Sequence, residues 1–355
     1  MKFKRKDRGK TIKYWLLAIV VLAVALPALW VLITRMEGTP PAISLEQDLK
    51  YLQVESTIAG RVSDAKSGVR SFRAALVADG REIVLKDADY DSGVLSGEDG
   101  RKNVSFELKI NTKKLGVPDG KALLQLSAQD QSWRHWFSGN RAYMEKEIVI
   151  DTRSPRLSVL TRQHNVSQGG TGLVIYKLSE SCKTHGIAVG ENFFPGYSGY
   201  FKDKDIYLAF FALTHAQGKN TNLYVKAVDA AGNASRSGIY YHIRSRRFKK
   251  DTLTVSDRFL KKILPEFEGA DSNPDAPMVD RFLQINRKLR KKNNQTILAS
   301  GGESDRQLHW QGAFKRLPNS ARQASFADHR SYRYNGDVID RQVHYGVDLA
   351  SVKQA

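Results

Sequence analysis

The pattern of apolar and polar positions changes character three times along the 355-residue chain. Near the start, Tyr14 to Ile33 is an unbroken apolar run without a charged side chain. At about 1.5 Å of rise per residue it spans roughly 30 Å as a helix, the thickness of a bilayer's hydrocarbon. Tyr14, Trp15 and Trp30 lie near its ends, where aromatic rings favour the membrane interface, and Pro27 is tolerated because lipid offers the backbone nothing better than a helix. The run predicts a transmembrane helix over 14–33. A cleavable leader has a shorter apolar stretch, and Ala23-Val24-Ala25, which imitates a cleavage site, falls inside the run, so an uncleaved anchor is expected.

After a linker containing Pro40 and Pro41, short alternating runs punctuated by Gly, Asp, Asn and Ser predict strands. Two stretches repeat the same device. Ala122 to Asp130 alternates and is followed by Gly139-Asn140; Leu223 to Asp229 alternates and is followed by Gly232-Asn233. Asp64 to Val69 opens the first unit, and Asp151 to Pro155 marks the joint, giving β-modules over 45–150 and 151–243. The pattern resembles the tandem immunoglobulin-like or fibronectin-like sandwiches of bacterial envelope proteins. Asp130 and Asp229 are expected to bond their own turn backbones rather than calcium, which needs more oxygen ligands than either run supplies. Gly169 to Gly172 reads as a turn, since no lysine or helix start follows to make a phosphate loop. Trp133, His135, Trp136 and Phe137 invite stacking on sugar rings, but are expected as core or edge cover.

From Arg244 to 300 a basic helical connector is predicted. Ser256 caps one short helix that ends before Pro265, and Met278, Phe282, Ile285 and Leu289 make one apolar face of a second, over Asp275 to Lys292.

Charge sharpens this layout. The net +19 sits largely in two blocks: Met1 to Lys13 has seven cations and one acid, and Arg244 to Lys292 has fourteen cations and seven acids. By the positive-inside rule the first block, residues 1–13, stays in the cytoplasm and the bulk of the chain is extracytoplasmic, at a bacterial inner membrane. Nucleic acid is then not an expected partner; anionic envelope polymers or headgroups are. The lone Cys182 excludes an intramolecular disulfide and any zinc site built from several thiolates, and reads as an incidental thiol.

The chemistry signal comes last. Phe326-Ala327-Asp328-His329-Arg330, then Asn335-Gly336, then His344-x-Gly346-x-Asp348-Leu349-Ala350 close the chain. On a strand, the even spacing of His344 and Asp348 would put both side chains on one face, with Gly346 keeping it open. An imidazole nitrogen and a carboxylate oxygen make half of a tetrahedral zinc site.

Residues 308–355 resemble the first half of the LytM/lysostaphin-type zinc metallopeptidases, which cut the peptide cross-links of bacterial peptidoglycan. The resemblance implies that His344 and Asp348 are the first two zinc ligands, and that Arg330 has a structural or substrate-contacting role. It also implies a later His-x-His segment and a further histidine for the remaining ligand and for catalysis. No histidine follows His344 here. The expectation is therefore a mainly β chain: a transmembrane helix, two immunoglobulin-like modules, a helical connector and a truncated metallopeptidase domain. Such a chain binds zinc weakly and is catalytically inactive by itself. The rival expectation is a non-catalytic envelope scaffold that holds the wall or a partner through its β-modules.

Overall fold

A computed structural model describes residues 8–90, 101–267, 273, 275–302, 305 and 307–351. Most of the predicted basic tail, residues 1–7, lies outside the described residues. Two compact units are present: Met1–Pro155 with Val228–Ala234, and Arg156–Ala227 with Ser235–Ala355.

The first unit begins with helix α1, Arg8–Arg35, with Pro27 inside it. Its stretch from Lys13 to Ile33 is long and apolar enough to cross a membrane. Side chains from Lys13 to Trp30 are all exposed, so α1 does not serve as the core helix of a soluble domain.

The rest of the unit packs two sheets face to face. One has the order β1-β3-β6, from Ala42–Leu45, Glu55–Ser63 and Asn103–Asn111. The other has the order β2-β8-β7-β4-β5, from Tyr51–Leu52, Arg141–Ile150, Gly120–Asp130, Val69–Ala78 and Arg81–Asp89. Alternation drives this packing. Val104, Phe106, Leu108 and Ile110 on β6 are buried while the residues between them face solvent. Phe106 stacks on Phe72 of β4 across the layers, with ring centroids 4.4 Å apart.

The second unit opens with three sheets. They are β14-β11-β9 (Ile206–Ala212, Thr171–Leu178, Leu157–Val159), β13-β12-β15-β16 (Asn192–Pro195, Thr184–Val189, Leu223–Val228, Ala234–Gly238) and the parallel pair β10-β17 (His164–Ser167, Tyr241–Arg244). Gly169 and Gly170 turn the chain from β10 into β11, whereas Thr171 and Gly172, expected in the same turn, already belong to β11. Gly169 has φ +71° and lies against Phe248 and Phe326, so a side chain there would be strained and would meet Phe326.

Tyr176 is fully buried in this core, with its Oη 2.8 Å from Nδ1 of His185. Burial pushes the Tyr176 hydroxyl pKa up and holds His185 below its ordinary 6.5. A base with a depressed folded pKa binds fewer protons folded than unfolded. Its contribution to stability is therefore whole above about 6.5 and is lost as pH falls from there towards the folded value. Thermal melts between pH 7 and pH 5 should show a falling midpoint for this unit. His185→Gln keeps an acceptor for Tyr176 but does not titrate, and should flatten that slope.

The connector differs from its prediction at both ends. Lys250–Thr254, expected inside the helical segment, forms strand β18 and pairs in parallel with Asp328–Tyr334. The predicted cap is present: Ser256 Oγ accepts from Phe259 N at the start of the Asp257–Ile263 helix. The second helix runs Met278–Gln284, passes through a π-helical turn at Ile285–Leu289 and continues to Gly301, beyond the expected Lys292. Three of the four residues of its predicted apolar face, Met278, Phe282 and Ile285, join one cluster with Leu260, Leu264 and Tyr332, whereas Leu289 lines the neighbouring groove.

Candidate functional site

The C-terminal residues form a sheet, β18-β20-β21, and a separate pair, β19-β22. Here β19 is Ser320–Ala324, β20 Asp328–Tyr334, β21 Asp337–His344 and β22 Asp348–Ser351. Asn335 and Gly336, with φ 50° and 95°, make the two-residue turn between β20 and β21. That hairpin register sets Asp328 opposite His344, and Arg330 shares the Asp328 face by alternation.

His344 and Asp348 do not lie on one strand as the spacing suggested. His344 ends β21, Asp348 begins β22, and Tyr345 to Val347 turn between them. The side chains nevertheless converge, with His344 Nε2 3.2 Å from Asp348 Oδ1. Their alignment makes no hydrogen bond, and Nε2 is a buried polar atom without a partner. A Cβ on Gly346 would sit 3.6 Å from that nitrogen, so glycine keeps the space beside it clear. Arg330 Nη2 lies 3.4 Å from Asp348 Oδ2 and steadies the carboxylate from its other side.

An orphaned imidazole nitrogen next to a half-exposed carboxylate fits two ligands of a zinc ion. The same Arg330 borders an apolar groove of about 500 Å³ lined by Leu253, Phe259, Phe282 and Tyr332.

The other two C-terminal histidines are engaged elsewhere. His309 pairs with Asp305, Nε2 to Oδ2 at 2.7 Å. His329, adjacent to Arg330 on β20, has its ring 5.9 Å from that of His215, which also meets Phe248 and Tyr345. Burial, then the neighbouring His329, lowers the His215 pKa.

Helix and hairpin are joined through Asp340 on β21, which accepts from Asn286 Nδ2 at 2.7 Å, Arg287 Nε at 2.9 Å and Gln342 Nε2 at 3.0 Å. Burial works to raise this carboxyl, but the bonds from Gln342, Arg287 and Asn286 outweigh it and hold the pKa below the ordinary value. Its contribution to stability is present above about 3.8 and is lost as pH falls through the lower folded value. Asp340→Ala orphans the buried Asn286 amide and is expected to destabilise this unit by about 2–4 kcal/mol in urea melts, more than Asp340→Asn.

Sequence reasoning missed one acidic group. Glu37, Asp64 and Asp130 are buried in the first unit, each offering a carboxylate oxygen within 4.8 Å of the others, and could hold a cation. Asp64 was visible as a turn opener, whereas Glu37 lay unremarked in the linker. Their oxygens already serve the backbone. Asp64 Oδ1 accepts from Gly68 N at 2.7 Å, Asp130 Oδ1 accepts from Asn140 N at 2.7 Å, and Glu37 Oε1 accepts from Ser67 N at 2.9 Å.

The repeated Asp and Asn do the same work in each copy. Asn140 Nδ2 donates to Asp130 Oδ2 and to the Glu37 carbonyl, and Asn233 Nδ2 donates to Asp229 Oδ2 and to the Asp151 carbonyl. Each Asp–Asn pair thus ties the end of a strand to the segment that opens its module. The expected turn device is present at both positions.

Trp133 is half-buried, as core or edge cover would be, but His135, Trp136 and Phe137 depart from that expectation. His135, Trp136 and Phe137 have φ of 51°, 56° and 66°, and Trp136 is 95% exposed and Phe137 61%.

No family profile matches the chain, and no curated protein matches it. Among solved structures, a four-domain ectodomain fragment of ICAM-5 aligns at 13% identity over 57% of this chain and 54% of its own, with a TM-score of 0.26. The titin domains Z1Z2, from a complex with telethonin, align at 14% identity over 60% of this chain and all of their own, with a TM-score of 0.20. A Bacteroides ovatus mixed-linkage glucan utilization protein, SGBP-B, aligns at 14% over 62% of this chain and 51% of its own, with a TM-score of 0.18. The chain spans about half the length of the ICAM-5 fragment. These likenesses are too loose to carry an argument, and the mainly β fold with an N-terminal apolar helix rests on the strands and helix described above.

Proposed function

We propose that the chain is a bacterial envelope protein anchored in the inner membrane by α1, with its N-terminus cytoplasmic. On this reading its β-modules are immunoglobulin-like, and residues 308–355 are the first half of a LytM/lysostaphin-type zinc metalloendopeptidase domain directed at peptidoglycan cross-links. The observation that carries the reading is the buried, unpartnered Nε2 of His344 beside the Asp348 carboxylate.

His344 and Asp348 would hold a zinc ion, which would supply Lewis-acid chemistry for peptide hydrolysis. The chain's own residues have narrower roles. His344 and Asp348 supply one nitrogen and one oxygen, and Arg330 fixes the orientation of Asp348 in the way outer partners orient metal ligands. Two protein ligands fall short of the three that catalytic zinc uses. The second reading is a non-catalytic envelope scaffold that holds the wall or a partner through its β-modules.

Purified chain in detergent, supplied with zinc and mixed with isolated cell-wall sacculi, is expected to release no cross-link fragments. Chelator-sensitive hydrolysis would overturn the inactive reading and leave the peptidase reading standing.

A further inference from the structure

We infer that the turn from Trp133 to Phe137 is a second membrane contact, seating Trp136 and Phe137 in the headgroup region of the bilayer that α1 crosses. The inference rests on the anchoring reading above and adds a partner for a surface that this reading leaves unexplained.

The turn is bonded to the point where α1 ends. Trp133 N donates to the Arg35 carbonyl at 2.6 Å. Ser132 Oγ lies 3.0 Å from that carbonyl and 2.9 Å from the Glu37 carbonyl, and Arg35 Nη1 donates to Gln131 Oε1 at 3.1 Å. Arg35 is the last residue of α1, two residues beyond the apolar stretch that ends at Ile33. At about 1.5 Å of rise per residue, the turn is held roughly 3 Å of helix axis from the edge of the span.

The backbone is bent to put the rings outside. Three successive non-glycine residues, His135, Trp136 and Phe137, lie in the left-handed region, where a Cβ crowds the following carbonyl. The surroundings enforce the bend: Arg70 Nη1 donates to the Phe137 carbonyl at 3.1 Å, Gln129 holds the Ser138 carbonyl, and the Asp130 carboxylate holds Ser132 N and Asn140 N. Phe137 meets Trp133, with ring centroids 5.9 Å apart, but its ring stays mostly exposed and that of Trp136 is almost wholly so. A strained turn that displays two large rings becomes favourable where those rings meet an apolar phase. Trp prefers the interfacial layer, and Arg134, two residues before Trp136 in the chain, supplies an exposed cation suited to lipid phosphate. Attachment through α1 makes the contact intramolecular, so a weak interface suffices.

The test uses the full chain carrying Cys182→Ser and Ser138→Cys, labelled with an environment-sensitive fluorophore and reconstituted into phosphatidylcholine–phosphatidylglycerol vesicles. Flotation with the vesicles after carbonate washing reads the anchor. Quenching by doxyl-labelled lipid, with a blue-shifted emission, reads the turn. The expected result is flotation together with quenching, and loss of the quenching but not of flotation when Trp136→Ser and Phe137→Ser are added. A floating chain whose label stays in water overturns the inference and spares the anchor. So does a label shielded only when cell-wall glycan is added, which would make the turn a sugar platform. A chain that fails to float overturns the anchoring reading and this inference with it.

Discussion

Replacing Asp130 by alanine is expected to destabilise the first unit by about 3–5 kcal/mol, among the largest effects of any single substitution in it. Asp130 is fully buried, and its two oxygens take bonds from Ser132 N, Asn140 N and Asn140 Nδ2. Removing the acceptor leaves those donors buried without partners, each costing about 1–3 kcal/mol, and loosens Asn140 from the Glu37 carbonyl. Relief of repulsion from Glu37 and Asp64 offsets part of the loss, so the estimate stays below the sum. Asp130→Asn keeps an acceptor for Ser132 N and Asn140 N but turns an amide donor onto Asn140 Nδ2, and is expected to cost less than Asp130→Ala, about 1–3 kcal/mol. Denaturant melts of the two variants give this ordering. Repeating them with calcium and with chelator separates the turn device from an ion site: the turn device predicts that wild-type midpoints are unchanged by either.

His344→Ala and Asp348→Ala are each expected to weaken zinc binding by at least about tenfold, since even partners that only orient a metal ligand contribute 10- to 100-fold. Arg330→Ala should have a smaller effect, because Arg330 touches only the far oxygen of Asp348. Competition against a chromophoric chelator measures all three. Equal affinity in wild type and His344→Ala would mean that zinc sits elsewhere. His344→Ala loses packing but no Nε2 hydrogen bond, and Asp348→Ala loses only the bond from Arg330, so melts of each variant without zinc separate folding from binding.

Much of this arrangement was legible before any coordinates, wherever a local rule decides the outcome. Helix α1 follows from twenty uncharged apolar residues, the Ser256 cap from one hydroxyl before a helical run, and the hairpin turn from Asn335-Gly336, which accept left-handed dihedrals. The meeting of His344 and Asp348 was also legible, although by the wrong route. A turn between two strands brings them together where a single strand was expected.

What escaped was non-local or contrary to propensity. Strand β18 exists because Lys250–Thr254 finds β20 as a partner some eighty residues away, which short-range alternation does not announce. The helix continuing to Gly301 has no apolar periodicity over its last turns to mark its length. Glu37 joins Asp64 and Asp130 only through the tertiary fold. The exposed rings of Trp136 and Phe137 run against the usual burial of aromatics, because hydrogen bonds to Arg35, Arg70 and Asp130 hold a left-handed turn that no residue there prefers.

On the proposed reading, the C-terminal hairpin and the strand after it present the His–Asp half of a zinc site. Nitrogen-15 NMR of the histidine side chains in the full chain, titrated with zinc in detergent micelles, tests it most directly. The account predicts that zinc shifts the Nε2 resonance of His344 and leaves the other seven histidines in place, and that Asp348→Ala abolishes the shift. A zinc-dependent shift at His215 and His329 with His344 unmoved, or no shift at any histidine, would contradict it.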